Sequence, residues 1–416
     1  YGYSYYSENN NLFWVPPAEM PSTWISYSGI RMVILKNSTF LTLPHNKQQA
    51  LIHYAVSGGK LCLLDSSWED KKREAVLSLF PPSYSLPSRN EQNRYFYKVA
   101  QGELVFFHTK EIMVKEVMDF LWHYSRKKNN IILSFHKPSF HSLDEGPQTT
   151  SGVILLIFSL LFIPWLWWNL KKKGELIQIY FLLPLSSFLV SLFLFLLPFI
   201  TEGVNAKGEI YRLYYLDQDK KNLYSKEIFQ LYFPLGASKL DFLPDTAVFW
   251  NHVIEEGFYS KSREDSNLDL SLNWNKNQTF FGDWVQPRVS SFGYKSGVHT
   301  YRGRILLKRK KEKLWVTNSL GWNLKEFYYY DEEGKLYYLD YLKDGESKQL
   351  ASVGKKLPFF RFLSLSPKFY ETFIHPKPQN FFLAVGENVR DFEPALGQIY
   401  WSKEKNVIVG TLKPGE

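Results

Sequence analysis

Two apolar runs without a single charged residue constrain this chain more than any other feature: "GVILLIFSLLFIPWLWWNL", residues 152–170, and "LIQIYFLLPLSSFLVSLFLFLLPFIT", residues 176–201. At ~1.5 Å of rise per helical residue, each is long enough to cross the ~30 Å hydrocarbon core of a bilayer. Apolarity around the whole circumference of a helix is unusual on a soluble surface, so both runs are expected to be transmembrane helices. Pro164, Pro184 and Pro198 fit this reading, because lipid-embedded helices tolerate prolines where neighbours satisfy the freed carbonyls.

The joining segment holds Lys171, Lys172, Lys173 and Glu175 and is too short to fold by itself. Short lysine-rich connections stay in the cytoplasm, since inserting each charge costs about 2.5–3.5 kcal/mol. The opposite flanks, "SLDEGPQTTS" and "EGVNAKGE", carry less positive charge. The hairpin is therefore expected to turn in the cytoplasm, with the domains on both sides of it carried outside. Trp165, Trp167 and Trp168 suit an aromatic belt at the cytoplasmic end of the first helix, and ordinary helix packing accounts for them equally well.

The 416 residues exceed what one hydrophobic core usually supports, and three regions separate by pattern. Residues 1–145 alternate strand and helix. "IRMVIL" is a continuous apolar run of the kind a strand buried on both faces requires, and "HNKQQALIHYAVSGG" follows with helical spacing and a Gly-Gly stop. "KLCLLD" then reads as a strand, "EDKKREAVLSLF" as a helix, "GELVFFH" as a strand and "KEIMVKEVMDFLWHYS" as a helix. Three strand-helix pairs in series predict a Rossmann-like parallel α/β domain with helices on its faces.

From residue 205 to 416 the period changes. "GEIYRLYYLD" and "EIFQLYFPL" read as strands around the turn "DQDKKN", and "EFYYYDEEGKLYYLDYL" as an aromatic hairpin around "DEEG". Strand follows strand to "QIYWSKEKNVIVGTL", which predicts a C-terminal β-sandwich. The fold class expected is thus a membrane protein of α/β plus all-β type: parallel α/β domain, two-helix transmembrane hairpin over residues 152–201, and β-sandwich.

"MPSTWISYSGIRMVIL" followed by "QQALIHYAVSGGKLCLLD" resembles the glutamine amidotransferase-like domain of bacterial membrane-anchored proteins, over about residues 20–65. "VTNSLGWNLKEFYYYDEEGKLYYLDYLKDGES" is similar to the extracytoplasmic sandwich that follows the membrane hairpin in the same family. The resemblance implies a bacterial cytoplasmic-membrane location with both large domains extracytoplasmic. Active members of the wider superfamily carry a nucleophilic Cys on a Gly-flanked turn, paired with a His. Here the only cysteine, Cys62, lies inside a strand, and no Gly-x-Cys-x-Gly occurs. A non-catalytic domain is what that departure implies.

Other chemistry is sparse. A single cysteine excludes an intramolecular disulfide framework and multi-cysteine metal sites, and phosphate-cradling glycine motifs are missing, so no cofactor or metal is expected. The net charge of +9 is dispersed among acidic residues; its densest cluster, "RGRILLKRKKEK", reads as a solvated hairpin tip, so nucleic acid is not an expected partner. Asp217 and Asp219 sit in a turn that lacks the remaining ligands of a calcium loop. Asn273, Asn275 and Asn277 fall on one face of a candidate strand with Trp274 and Trp284 nearby, a pattern suited to holding a glycan by amide hydrogen bonds and stacking. Asn-rich turns explain the same letters.

The expected function is that of a non-enzymatic accessory subunit in a bacterial envelope complex, with a transporter as a natural host, acting through extracytoplasmic protein contacts and the bilayer. An envelope hydrolase is the alternative; it would use a cleft at the carboxyl ends of the parallel strands, where Asp65, Glu69 and His108 are the candidate catalytic residues. His45, His53 and His123 are further histidines of the same domain without an identifiable nucleophile. A ligand sensor using that cleft is the third reading.

Overall fold

The computed structural model describes residues 15–30, 32–65, 70–80, 87–91, 94–99, 102–108, 148–174, 176–201, 203, 205–251, 270–273, 278–285, 290–310, 313–353, 380–387, 389 and 399–412. The helix expected from "KEIMVKEVMDFLWHYS" and His123 lie outside them.

The amino-terminal body is built on β1 (Val33–Lys36), β2 (Lys60–Asp65), β3 (Pro87–Glu91), β4 (Arg94–Val99) and β5 (Gly102–His108), in the order β1-β2-β5-β4-β3. Helices α1 (Asn37–Thr42), α2 (His45–Val56) and α3 (Asp70–Leu77) connect or follow the first two strands. β1, β2 and β5 are parallel as the alternation predicted. The expectation of a wholly parallel sheet is corrected by β3 and β4, which add to β5 antiparallel. The cause is connection length: Val99 pairs with Gly102 and Glu91 with Arg94, and so tight a link allows only a hairpin. Glycine is required at position 102, where a Cβ would run into the Ala55 carbonyl oxygen at the end of α2.

The chain then forms an apolar helix, α4 (Gln148–Ile157), which passes through a π-helical turn at Phe158–Phe162 into α5 (Ile163–Lys173); after a short turn α6 (Ile179–Thr201) returns. Residues 152–173 and 179–197 are each long and apolar enough to cross a membrane, and almost none of either span is buried. Lys171, Lys172 and Lys173, expected in the connecting loop, instead form the last helical turn of α5. Lysine does not break a helix, and cations at the carboxyl end offset the exposed carbonyls there. The stop is Gly174, whose φ of 72° most side chains avoid.

Beyond the hairpin the described residues are strands. A nine-stranded sheet contains β6 (Lys207–Asp217), β7 (Asn222–Tyr232), β9 (Thr246–Asn251), β12 (Ser290–Thr300), β15 (Asn323–Tyr330), β16 (Leu336–Leu339), β18 (Ala351–Val353), β19 (Phe381–Glu387) and β20 (Tyr400–Thr411). Its order is β18-β16-β15-β19-β20-β6-β7-β12-β9, and β20 joins β6 in parallel, so the last strand closes onto the first.

Two three-stranded sheets cover one face. One is β8 (Ala237–Phe242), β10 (Leu270–Asn273) and β11 (Gln278–Val285); the other is β13 (Arg304–Lys310), β14 (Lys313–Ser319) and β17 (Ser347–Gln349). The first packs Leu240, Phe242 and Phe280 on Ile210, Phe229 and Leu231. The second packs Ile305, Leu307 and Val316 on Tyr214, Phe327 and Phe382. Sheet-on-sheet layering thus takes the form of one broad sheet with two small ones.

The opposite face meets the amino-terminal body. Leu213, Tyr215, Tyr224, Leu383, Val407 and Val409 share a single hydrophobic core with Leu51, Ala55 and Val56 of α2 and with Leu61 and Phe106. Residues before and after the hairpin therefore pack together.

Candidate functional site

Strand alternation sets the central polar feature. On β6, Ile210, Tyr214 and Leu216 point to the face covered by the small sheets, and so does Arg212 between them. On β7 the same parity carries Phe229, Leu231 and Glu227. Register places Asn406, Arg212, Glu227 and Lys295 side by side across β20, β6, β7 and β12. The row runs between the two small cores.

Arg212, Glu227 and Lys295 each retain 1% side-chain exposure. Arg212 Nε donates to Glu227 Oε2 at 3.3 Å, and Lys295 Nζ lies 2.8 Å from the same oxygen. The other side of the guanidinium pairs with Glu404 and donates to Asn406 Oδ1 at 3.3 Å, while Asn406 Nδ2 donates to Glu404 at 3.0 Å. Trp401 covers Arg212 at 5.6 Å from its ring centroid. Burial pushes the Glu227 carboxyl up, but Lys295 and Arg212 together bring it below its usual range. Among the described residues two cations meet two carboxylates here. Such a row holds the register of four strands, because a one-residue slip would turn every charge to the opposite face.

The seam between the two bodies is the second polar locus. The His53 ring on α2 meets Tyr224 of β7 edge-on at 6.0 Å. Lys220, in the β6–β7 turn, donates through Nζ to the Leu79 carbonyl, and its backbone N–H donates to Asp217 Oδ1 at 3.1 Å. Asp217 therefore shapes the turn that docks on the amino-terminal body. Burial, with a smaller effect of Lys220, holds the His53 imidazole down at about 4. A histidine so placed is neutral near pH 7.

The residues singled out by the sequence are dispersed. Asp65 and His108 are register partners at the carboxyl ends of the parallel pair β2 and β5, so their backbones are adjacent; their side chains, and Glu69, lie outside the described residues. Cys62 is fully buried in β2, and burial pushes its thiol up to about 12, which removes it as a nucleophile. Asn273 ends β10 and its register partner Thr279 lies near the start of β11. Trp274, Asn275 and Asn277 lie outside the described residues, as does the Trp284 side chain.

Trp165, Trp167 and Trp168 are exposed on α5. Lys171 stands 4.8 Å from the Trp167 ring and Lys172 5.2 Å from Trp168, each four residues on, so the belt and the cations form stacked pairs. Among the described residues no cluster of histidine, cysteine and carboxylate suits a metal ion.

No protein-family model and no curated protein matches the chain. Among solved structures it is similar to the yeast delta-COP-I mu-homology domain complexed with a Dsl1 WxWxV peptide. Identity is 9%, covering 51% of this chain and 96% of that chain, with a TM-score of 0.21. A likeness that low assigns neither fold nor partner.

Proposed function

We propose that the chain is a membrane-anchored accessory subunit of a bacterial envelope complex, acting through protein contacts made by two soluble bodies held as one unit outside the cytoplasmic membrane. The observation that carries this reading is the shared core: Leu51, Ala55 and Val56, before the hairpin, pack with Tyr215, Tyr224 and Val407, after it. Such a core is compatible with a hairpin that enters and leaves one face, and with little chain on the far side. So short a far-side turn has no room for an ATPase or kinase, and energy input falls to another subunit, a transporter being a natural host. The exposed circumference of α5 and α6 offers surface to lipid and to partner helices alike. The amidotransferase-like character of the amino-terminal body belongs to this proposal, as does its lack of catalysis, which the buried Cys62 supports.

Purification of the full chain in a gentle detergent, with identification of co-purifying proteins, tests the reading. Stoichiometric recovery of other membrane proteins supports it; a monodisperse monomer recovered alone contradicts it. An envelope hydrolase remains a second reading because Asp65 and His108 are neighbours at a carboxyl edge. Loss of a measured hydrolytic activity on His108→Ala would favour it.

A further inference from the structure

Among the described residues of the sandwich, Leu235 and Tyr400 are the most exposed large hydrophobics, at 61% and 67%; Phe249, Leu272 and Phe281 stay at 40% or less. Single apolar residues are ordinary on a protein surface. These two share one end of the nine-stranded sheet. Tyr400 opens β20 and is the register partner of Lys207, which opens β6; on its other side Lys207 pairs with Tyr232, the last residue of β7. Leu235 follows Tyr232 in the tight turn into β8, which the Gly236 N–H closes on the Phe233 carbonyl at 3.2 Å. Tyr400 and Tyr232 thus flank β6, ~10 Å apart at ~4.8 Å per strand.

The chain leaves the hairpin at this same end. α6 stops at Thr201, and the Ala206 carbonyl already accepts the Tyr400 N–H at 2.9 Å. The five-residue step between them reaches at most ~18 Å when fully extended. Gly203, with a φ of 78°, is not extended, so the link falls short of that limit. With 23 residues at ~1.5 Å each, α6 is ~34 Å long, slightly more than the hydrocarbon core. Its last residues therefore reach the headgroup layer, and Tyr400 is tethered one short link away. The amino-terminal body docks on the Lys220 turn at the other end of β6, ~33 Å along the strand.

We propose that this end of the sandwich rests on the bilayer, with Leu235 and Tyr400 in the headgroup layer of the membrane that the hairpin crosses. The proposal rests on the transmembrane reading of that hairpin. Tyrosine suits such a layer because its ring is apolar and its hydroxyl meets water and phosphate, while a leucine at the tip of a turn dips beneath it. Lys207 opens β6 at the same level, a cation beside the lipid phosphates. A domain of about 100 residues has a radius of gyration of ~13 Å, so no folded partner fits beneath this end in a gap of under ~18 Å. Lipid is the occupant that the short link allows.

The test is fluorescence of the full-length chain in phosphatidylcholine nanodiscs, with and without lipid that carries a doxyl quencher near its carbonyls. One environment-sensitive label at a time is placed on Leu235→Cys, Tyr400→Cys, Ile200→Cys or Ser347→Cys; Cys62 is fully buried and takes little of it. Ile200, one residue from the end of α6, reports the membrane, and the exposed Ser347 on β17 reports solvent. Labels at Leu235 and Tyr400 are expected to be quenched on the scale of Ile200, with Ser347 unaffected. A label at Leu235 or Tyr400 as unquenched as Ser347, beside a quenched Ile200, overturns the proposal. An unquenched Ile200 overturns the membrane reading itself and takes this proposal with it. Both side chains at this end are exposed, so replacing them leaves the core intact; should one variant fail to fold, the other decides.

Discussion

Gln278 closes both backbone groups of Val248: its Oε1 accepts the Val248 N–H at 2.6 Å, and its Nε2 donates to the Val248 carbonyl at 2.8 Å. Val248 lies on β9, the edge of the nine-stranded sheet, and its other neighbour is Lys295 of the ionic row. One buried amide thus imitates the strand that the edge lacks, which blunts an otherwise open template for pairing.

Gln278→Leu is expected to strand both Val248 groups, at about 1–3 kcal/mol each. Urea denaturation of the detergent-solubilised chain measures the loss, and light scattering follows association at the freed edge. Gln278→Glu keeps the acceptor but sets a buried carboxylate against the Val248 carbonyl, so it should cost at least as much near pH 7. Native stability in Gln278→Leu would mean that water serves Val248 equally well.

Breaking the ionic row is expected to cost more. Glu227→Leu removes the carboxylate that Arg212 and Lys295 share, about 3–5 kcal/mol for breaking a buried ion pair from one side. The pH dependence follows from the lowered carboxyl: Glu227 contributes stability above the ordinary carboxylate range and loses it as pH falls below that range toward its folded value. Chemical denaturation between pH 7 and pH 3 should show a steeper acid loss for the native chain than for Glu227→Leu.

The seam carries a second acid response with the same sign. His53 is held neutral in the packed state, so the separated state takes up a proton first, near the ordinary ~6.5. The seam is expected to be intact above that value and to weaken as pH falls toward about 4, by up to ~3 kcal/mol and less to the extent that water reaches the ring. Hydrogen exchange along α2 at pH 7 and pH 5 reports it. His53→Phe should remove the difference, and an unchanged pH response in that variant would place its source elsewhere.

Much of the fold was legible because local patterns and tertiary contacts agreed. "KLCLLD" and "GELVFFH" are apolar through their centres, and both are strands packed on two faces, with Leu61 and Leu63 on one side and Cys62 and Val105 on the other. The turns at "DQDKKN" and "DEEG" lie where β6 meets β7 and β15 meets β16. β3 was hidden because "PSRNE" has neither alternation nor apolar content, and only its hairpin with β4 makes it a strand.

The ionic row escaped for a different reason. Arg212, Glu227 and Lys295 look like a solvated face until two further sheets cover them, and Glu404 comes from the far end of the chain. A signal was present: each of the two β6 and β7 charges shares parity with Ile210 and Tyr214 or Phe229 and Leu231, which places it on an apolar face. The lysines of the hairpin were read as loop because their charge was weighed and their helical propensity was not; only Gly174 marks the true end of α5.

Those lysines should also fix orientation. Replacing Lys171, Lys172 and Lys173 with glutamate removes cations whose insertion costs about 2.5–3.5 kcal/mol each, and the stacked pairs with Trp167 and Trp168 go with them. A mixed or inverted population is expected on labelling. Uniform native orientation in the triple variant would show that other flanking charges set it.

The central claim, that both bodies lie on one side of the membrane and the lysine turn on the other, is tested most directly by single cysteines at Asn46, Lys172 and Ser347, probed from outside intact cells with a membrane-impermeant maleimide. Cys62 is buried and protonated, so it adds little background. Labelling at Asn46 and Ser347, with Lys172 labelled only after permeabilisation, is the expected result. Opposite accessibility of Asn46 and Ser347 would contradict the shared core, and labelling of Lys172 alone in intact cells would turn the assignment inside out.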